Sequence, residues 1–252
     1  MRNIKLTIEY DGKDFNGWQK QPDKLNIQGE IERAIEIITG EKVNVIGSGR
    51  TDAGVNALNQ VANFKIENEI PIEKIPYAIN SQLKKSIRVK KAEVVDDRFN
   101  SRYNAKNKTY VYTINNSEQG SAIYRNMQYH YPIKLDENKM NEASKYFIGE
   151  HDFRAFVTDN VDKDNCVRVI SDASIERKGD TLIFIFTGNG FMRYEVRNLV
   201  GALLRVGQGK DKPIRVKEIL DSKVRCGGLT AKAEGLYLEN IEFKDNSFGK
   251  IG

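Results

Sequence analysis

Cysteine and histidine are both scarce in this 252-residue chain, with two of each. Cys166 and Cys226 lie far apart and form no Cys-x-x-Cys pair, which argues against a zinc knuckle and a disulfide framework and suits a reducing compartment. His130 and His151 are too few for a His-rich metal cluster and leave two candidates for a catalytic imidazole. No apolar run approaches the length that spans a bilayer. Met1-Arg2-Asn3-Ile4-Lys5-Leu6 alternates polar and apolar residues and lacks the apolar core of a signal peptide. With five prolines, no low-complexity linker and no internal repeat, the chain reads as an ordinary folded, cytoplasmic, unprocessed protein. Its length allows one large domain or two small ones.

What is present is charge, unevenly spread. Forty Lys and Arg against 35 Asp and Glu leave only +5. Between Lys84 and Tyr110, however, nine bases face three acids, and between Arg193 and Arg225 nine face four. Those two windows carry +11, so the remainder of the chain carries −6. Phe99, Tyr103, Tyr110 and Tyr194 lie within them and Phe191 just outside, which offers stacking partners beside the bases. Either window alone reads equally as a solvated face. Two of them in different halves point to a shared groove that tracks phosphates.

Hydrophobic periodicity places the elements. Ile4, Leu6, Ile8 and Tyr10 alternate as in a half-buried strand ending at Asp11-Gly12. Ile27, Ile31, Ala34, Ile35 and Ile38 recur at helical spacing, with Asn26 as N-cap and Gly40 as stop. A strand over Val43 to Ile46 runs into a glycine-rich loop, Gly47 to Gly54. Strands follow at Gln60 to Ile66, Ile87 to Val95 and Lys108 to Asn115, with a helix around Glu73 to Leu83. Beyond them come a helix at Met140 to Phe147 and strands at Val167 to Glu176 and Thr181 to Thr187 about a Lys178-Gly179-Asp180 turn. A strong helix at Arg193 to Val206, a short one at Val216 to Leu220 and a last strand at Gly235 to Phe243 complete the order. This mixture predicts an α+β fold: two ferredoxin-like, RNA-recognition-like lobes, residues 1–105 and 106–252, sharing a mainly antiparallel sheet. The cleft between lobes is the natural place for a site. On the Arg193 helix, Arg193, Arg197 and Arg205 border an apolar stripe, where buried-edge guanidinium groups need partners such as an internal carboxylate.

The loop from Gly47 to Asn56 fails the usual glycine-loop patterns. A dinucleotide fingerprint needs glycine where Asp52 stands, and a phosphate loop needs Lys and Ser or Thr where Val55 and Asn56 stand. What remains is a carboxylate, Asp52, with Arg50 two residues before it. Kept ionised by a nearby arginine, it is suited to act as nucleophile or proton acceptor. The ordinary alternative is a turn aspartate capping backbone N–H groups.

Gly49-Arg50-Thr51-Asp52-Ala53-Gly54-Val55-Asn56-Ala57 resembles the signature loop of the tRNA pseudouridine synthase A family. Five further stretches fall in that family's order: Phe15-Asn16-Gly17-Trp18-Gln19; Asn104 to Ile114 with Lys108-x-Tyr110-x-Tyr112; Gly149-Glu150-His151-Asp152-Phe153; Gly190-Phe191-Met192 through Val196-Arg197-Asn198-Leu199-Val200-Gly201; and Ala233-Glu234-Gly235-Leu236. The resemblance implies a basic catalytic cleft in which Asp52 is the essential carboxylate of uridine isomerisation. It implies that Arg50 holds the target nucleotide out of its stack, Tyr110 packs on the uracil ring and assists proton transfer, Arg197 pairs with the aspartate, and Arg102 meets substrate. It further implies a homodimer acting on the anticodon stem-loop of tRNA with no cofactor and no metal. Asn56 and Lys232 depart from the family's usual histidine and proline, which leaves loop shape and the choice of uridines open. His151 reads as a packing and turn residue. Two rival readings are a non-catalytic RNA-binding module, for which Lys108-Thr109-Tyr110-Val111-Tyr112 is a poor aromatic signature, and a small-molecule enzyme, which leaves both basic windows unexplained.

Overall fold

The structure, a computed structural model, describes residues 1–157, 165–225, 227–228 and 230–244, so Cys226 lies outside the described residues. The chain divides into two compact units, Met1–Lys106 with Leu238–Gly252, and Asn107–Tyr237.

In the first unit, β1 (Arg2–Tyr10) buries Ile4, Leu6, Ile8 and Tyr10 on one face, following its period-two pattern. α1 (Ile27–Thr39) starts and stops where the sequence predicts. The Asn26 side chain accepts the Gly29 N–H at 2.8 Å, and Gly40 closes the last turn at φ 76°. Ile27, Ile31, Ala34 and Ile35 form the buried stripe. β2 is only Ile46–Gly47, shorter than the predicted Val43–Ile46 strand. The reason is a contact from outside the segment: Glu32 on α1 accepts the Val45 N–H at 3.1 Å, so the approach to the sheet is tied to the helix and not to a neighbouring strand.

β3 (Asn56–Ile66) begins four residues before the predicted start, because β1 continues to pair with it as far as Tyr10 opposite Ala57, across an irregularity. The predicted helix at Glu73–Leu83 opens with a single 3-10 turn, Ile72–Lys74, and continues as α2 (Ile75–Gln82), with a proline in its first turn. β4 (Ile87–Val95) then returns along β1. The pairings are antiparallel in the order β4-β1-β3-β2. With the succession β-α-β-β-α-β, this order is that of a ferredoxin-like unit.

The second unit contains most of β5 (Ala105–Asn115), then β6 (Tyr129–His130), which runs parallel beside it. α3 (Glu137–Ser144) begins earlier than predicted because Asp136 caps it by accepting the Lys139 N–H, and it tightens to a 3-10 turn at Lys145–Phe147. β7 (Gly149–Asp152), β8 (Val167–Lys178) and β9 (Thr181–Gly188) follow, paired antiparallel in the order β5-β9-β8-β7. Leu182, Phe184 and Phe186 alternate inward from β9 and meet Tyr112, Phe147, Phe153 and Phe156 in an aromatic core. Each such side chain contributes about 1.5–3 kcal/mol on burial.

α4 (Glu195–Gly207) starts two residues later than predicted, so Arg193 stands before the helix. Tyr194 is its N-cap in the left-handed conformation at φ 61°, which helical periodicity does not reveal. α5 (Ile214–Ser222) extends the predicted Val216–Leu220 helix by two residues at each end. β10 (Leu236–Phe243) enters the first unit at Leu238. The mixed composition and mainly antiparallel pairing expected of the sequence are therefore observed. Among the described residues no helix is long and apolar enough to cross a membrane.

Candidate active site

Asp52 lies half-buried on the loop between β2 and β3, and the segment after β1 clamps that loop backbone to backbone. Trp18 N–H donates to the Thr51 carbonyl at 3.1 Å, and Gly54 N–H donates to the Phe15 carbonyl at 3.2 Å. The Val55 N–H closes the turn on the Asp52 carbonyl at 3.1 Å, with Gly54 in the left-handed region. Approach this close requires glycine. A Cβ on Gly12 would stand 2.0 Å from the Val55 carbonyl oxygen, and one on Gly17, itself at φ 85°, would stand 2.4 Å from that of Thr51.

Side chains complete the fastening. The Tyr10 hydroxyl meets Thr51 Oγ1 at 2.8 Å, and burial pushes the Tyr10 phenol well above its ordinary pKa, only partly offset by hydrogen bonds from Thr51 and Gln60. Tyr10 therefore stays a neutral anchor across the working range of pH. Asn56, one of the two positions noted above as departing from the resemblance, is buried and accepts the Gly12 N–H at 2.9 Å, so it supplies a structural hydrogen bond to the same clamp.

Arg50 is exposed, but its guanidinium is oriented. Its Nε donates to Gln19 Oε1 at 3.0 Å, Gln19 Nε2 donates to Gln28 Oε1 at 2.8 Å, and Gln28 Nε2 donates to Glu32 Oε1 at 2.9 Å. This relay ends on a buried carboxylate of α1, which also holds Lys20 at 2.8 Å. Nothing in the local sequence around Arg50 signals it; Gln19, in the motif after β1, is its only hint.

Arg102 is exposed in the turn between β4 and β5, and its neighbour Ser101 bonds Asn63 through both N–H and hydroxyl, each at 2.8 Å. Asn63 lies six residues along β3 from Ala57, about 20 Å at the strand rise, so the Arg102 turn is not adjacent in register to the Asp52 end of the strand.

Tyr110 and Arg197 belong to the second unit. Tyr110 is buried on β5 opposite Phe186, with Phe191 edge-on to its ring at 5.3 Å. Arg197 is on α4, where its Nε donates to the Ala231 carbonyl at 2.7 Å and its guanidinium lies 5.0 Å from the centre of the Tyr194 ring. The Ala231 N–H returns a bond to the Arg197 carbonyl at 3.1 Å. Arg193 also faces the Tyr194 ring, and Arg205 pairs with Asp211 at 2.6 Å, an exposed pair and not the internal carboxylate expected for this strip. Lys232 has φ −63°, a value proline would share, and its carbonyl accepts the Tyr112 hydroxyl at 2.7 Å. His151 bonds the Ile148 carbonyl through Nε2 at 3.0 Å and packs edge-on to Phe153, a packing and turn residue as expected.

One buried carboxyl escapes sequence reasoning. Glu195 opens α4 as if merely capping it, yet it is fully buried: Oε2 accepts the Met192 N–H at 2.7 Å, while Oε1 has no hydrogen-bond partner among the described residues. Burial pushes its carboxyl up to about 8, against the lowering effects of the Met192 hydrogen bond and the Arg168 charge. Among the described residues no cluster of His, Cys, Asp and Glu could hold a metal ion.

The first unit is thus a ferredoxin-like unit that carries a clamped aspartate loop and a basic stretch at α2–β4. A family model described as tRNA pseudouridine synthase matches residues 6–104 and 143–244. The relative named tRNA pseudouridine synthase A from Caldicellulosiruptor bescii is 46% identical over 96% of this chain and 100% of its own length. That of Acetivibrio thermocellus is likewise 46% identical at the same coverage, and tRNA pseudouridine synthase A 2 of Clostridium perfringens is 46% identical over 96% of this chain and 99% of its own. The chain belongs to the tRNA pseudouridine synthase family, whose members are isomerases that act on RNA.

Proposed function

We propose that this protein converts uridine to pseudouridine in the anticodon stem-loop of tRNA, with Asp52 as the essential carboxylate. The supporting observation is the Asp52 loop itself, locked against Gly12 and Gly17 so that one carboxylate is presented from a rigid frame, in a chain of which 96% is matched by a relative named as a synthase. The reaction breaks the bond from ribose C1′ to uracil N1, turns the base, and joins C1′ to C5; N1 gains a proton and C5 loses one. Asp52 starts it by attacking the nucleotide or by taking the C2′ proton. No oxidant, reductant or hydrolytic water enters this balance, so the chemistry asks for no cofactor.

A uridine in a stem must leave its stack to meet Asp52, at a cost of a few kcal/mol. Arg50, steadied by the Gln19 relay, props the vacated space, and Tyr110, steadied by Phe191, packs on the extruded ring. Arg197 pairs with the Asp52 carboxylate, and Arg102 takes a more distant part of the substrate. Two copies of the chain working in the cytoplasm on one tRNA complete the reading.

The test is tritium release from tRNA carrying C5-tritiated uridine. Asp52→Asn is expected to abolish release while tRNA affinity stays within a few fold; normal turnover by that variant would sink the assignment. Binding is also expected to weaken steeply with salt, the log–log slope reporting the phosphates neutralised. A flat response would reduce both basic windows to solvated surface. Mapping pseudouridine in tRNA and rRNA of a deletion strain identifies the positions.

A further inference from the structure

We propose that the groove between α2 and the start of β4 is a second RNA subsite, taking an unpaired nucleotide that flanks the target uridine. Its phosphate is held by Arg88 with Lys84 and Lys85, and its base stacks on Tyr77. The proposal rests on the reading of the protein as an enzyme acting on RNA.

The groove encloses about 480 Å³ and is lined by Pro76, Tyr77 and Asn80 of α2 and by Arg88, Lys90 and Lys91 of β4, among others. Its wall is rigid: Asn80 Nδ2 donates to the Val89 carbonyl at 2.9 Å, and Asn80 Oδ1 accepts the Val89 N–H at 2.8 Å. Tyr77 stands on this wall with 80% of its surface exposed, on a helix whose neighbouring Ile75 and Ile79 are buried. An aromatic ring fully offered to solvent on a fixed backbone is a stacking platform that any base can use.

Charge sorts the bases around it. Lys90 pairs with Glu9 at 3.0 Å and Lys91 with Glu93 at 2.9 Å, so neither brings net charge. Lys84 and Lys85 are exposed and, among the described residues, have no carboxylate partner. Arg88 is held by its own backbone: Nη1 donates to the carbonyls of Lys84 at 2.8 Å and Ile87 at 2.6 Å. Because Nη1 makes both bonds, the Nε and Nη2 edge, which is the edge that grips an anion with two parallel hydrogen bonds, has no partner among the described residues. A guanidinium fixed through one nitrogen with its bidentate edge unused is pre-organised for phosphate. Glu73 is the acid among the described lining residues; Lys84 and Lys85 stand outside the lining, on the turn that leads into it.

Position connects this groove with the Asp52 loop. Ile87 stands beside Tyr10 and Tyr10 beside Ala57, so β4 starts two strand spacings, about 10 Å, from the end of that loop. The Asp11 N–H bonds the Ser86 carbonyl at 2.9 Å and fixes the basic turn there. A strand of RNA with one nucleotide at Asp52 passes Lys84, Lys85 and Arg88 first and reaches Tyr77 a few residues further along β4.

The experiment titrates labelled tRNA against the wild-type protein, Tyr77→Ala, Arg88→Lys and the Lys84→Ala/Lys85→Ala double variant, and measures tritium release from the same tRNA. Tyr77→Ala is expected to raise Kd and KM about tenfold, with kcat within about twofold of wild type. The double lysine variant is expected to weaken binding and to flatten the salt slope by about 1.4, from about 0.7 for each single-strand phosphate lost. Arg88→Lys keeps the charge but not the fork, so it weakens binding with the slope unchanged. Unaltered Kd, KM and salt slope in all three variants overturn the proposal, as does a loss of kcat with KM intact. A change of sedimenting mass with RNA affinity untouched also overturns it and puts a second copy of the chain in the groove. If the wild-type protein binds tRNA but releases no tritium, the isomerase reading fails while the binding arms still judge the subsite.

Discussion

Glu195 offers a quantitative test of the second unit. A carboxylate in the first turn of a helix is ordinarily favoured by the helix dipole, by about 0.3–1 kcal/mol. Here burial outweighs it, because Glu195 is fully enclosed and, among the described residues, only its Oε2 receives a hydrogen bond. Its carboxyl is raised from the ordinary 4.5 to about 8 in the folded chain. The folded state therefore holds this proton more tightly than the unfolded one. Stability from this group is fully present below the unfolded value of 4.5, and it is lost as pH rises from there through about 8. At about 1.4 kcal/mol per pH unit, the loss between pH 5 and pH 8 amounts to about 3–4 kcal/mol. Glu195→Gln copies the neutral acid in shape, keeps an acceptor for the Met192 N–H and does not titrate. The two proteins are expected to lie within about 1–2 kcal/mol of each other at pH 5, since either leaves one polar atom unpaired. Urea unfolding at several pH values, with the m-value checked for constancy, gives ΔG for each. The wild-type curve should fall away from the Glu195→Gln curve as pH rises. Parallel curves over this range would refute the raised pKa and the burial argument behind it.

Two further outcomes follow from the first unit. Gly17→Ala places a Cβ 2.4 Å from the Thr51 carbonyl oxygen at a φ of 85°, so the Asp52 loop must shift; single-turnover tritium release should fall by about tenfold or more, as displacements near 1 Å do, and an unchanged rate would show that the loop tolerates movement. Asn26→Ala removes the acceptor that caps the Gly29 N–H and should cost about 1 kcal/mol in urea unfolding while leaving catalysis at saturating tRNA unchanged.

Elements with strong local signals were readable from sequence, and those settled by distant partners were not. α1 carried its cap, its stripe and its stop within fifteen residues, and each took the predicted role. β2 did not, because the apolar run Val43 to Ile46 looks like a strand until Glu32 takes the Val45 N–H. The start of α4 was misplaced because the left-handed backbone at Tyr194 has no signature in residue type. The same division runs through the site. Asp52 and Arg50 stood out as a motif, but the frame that makes the loop rigid joins Gly12 to Val55 and Gly17 to Thr51, pairs more than thirty residues apart that share no period. The Gln19 relay behind Arg50 and the buried Glu195 are also tertiary facts: a glutamine is unremarkable until its amide meets another, and a glutamate at a helix start normally faces water.

The charge windows show most plainly what folding adds to a count of bases. Lys90, Lys91, Arg98 and Lys106 in the first window each meet a carboxylate, as do Arg205, Arg215 and Lys217 in the second. Exposed pairs of this kind contribute only about 0–1 kcal/mol, so RNA can break them. A phosphate that does so gains a cation already neutralised and leaves a carboxylate facing it, which cancels most of the gain. Among the described residues Lys84 and Lys85 have no such competitor and Arg88 is tied only to carbonyls. Counterion release on binding should therefore follow the unpaired bases and fall well short of the eighteen that the two windows contain. A segregated net charge locates the RNA face coarsely; the pairing of each base with its neighbour decides which part of that face holds a phosphate.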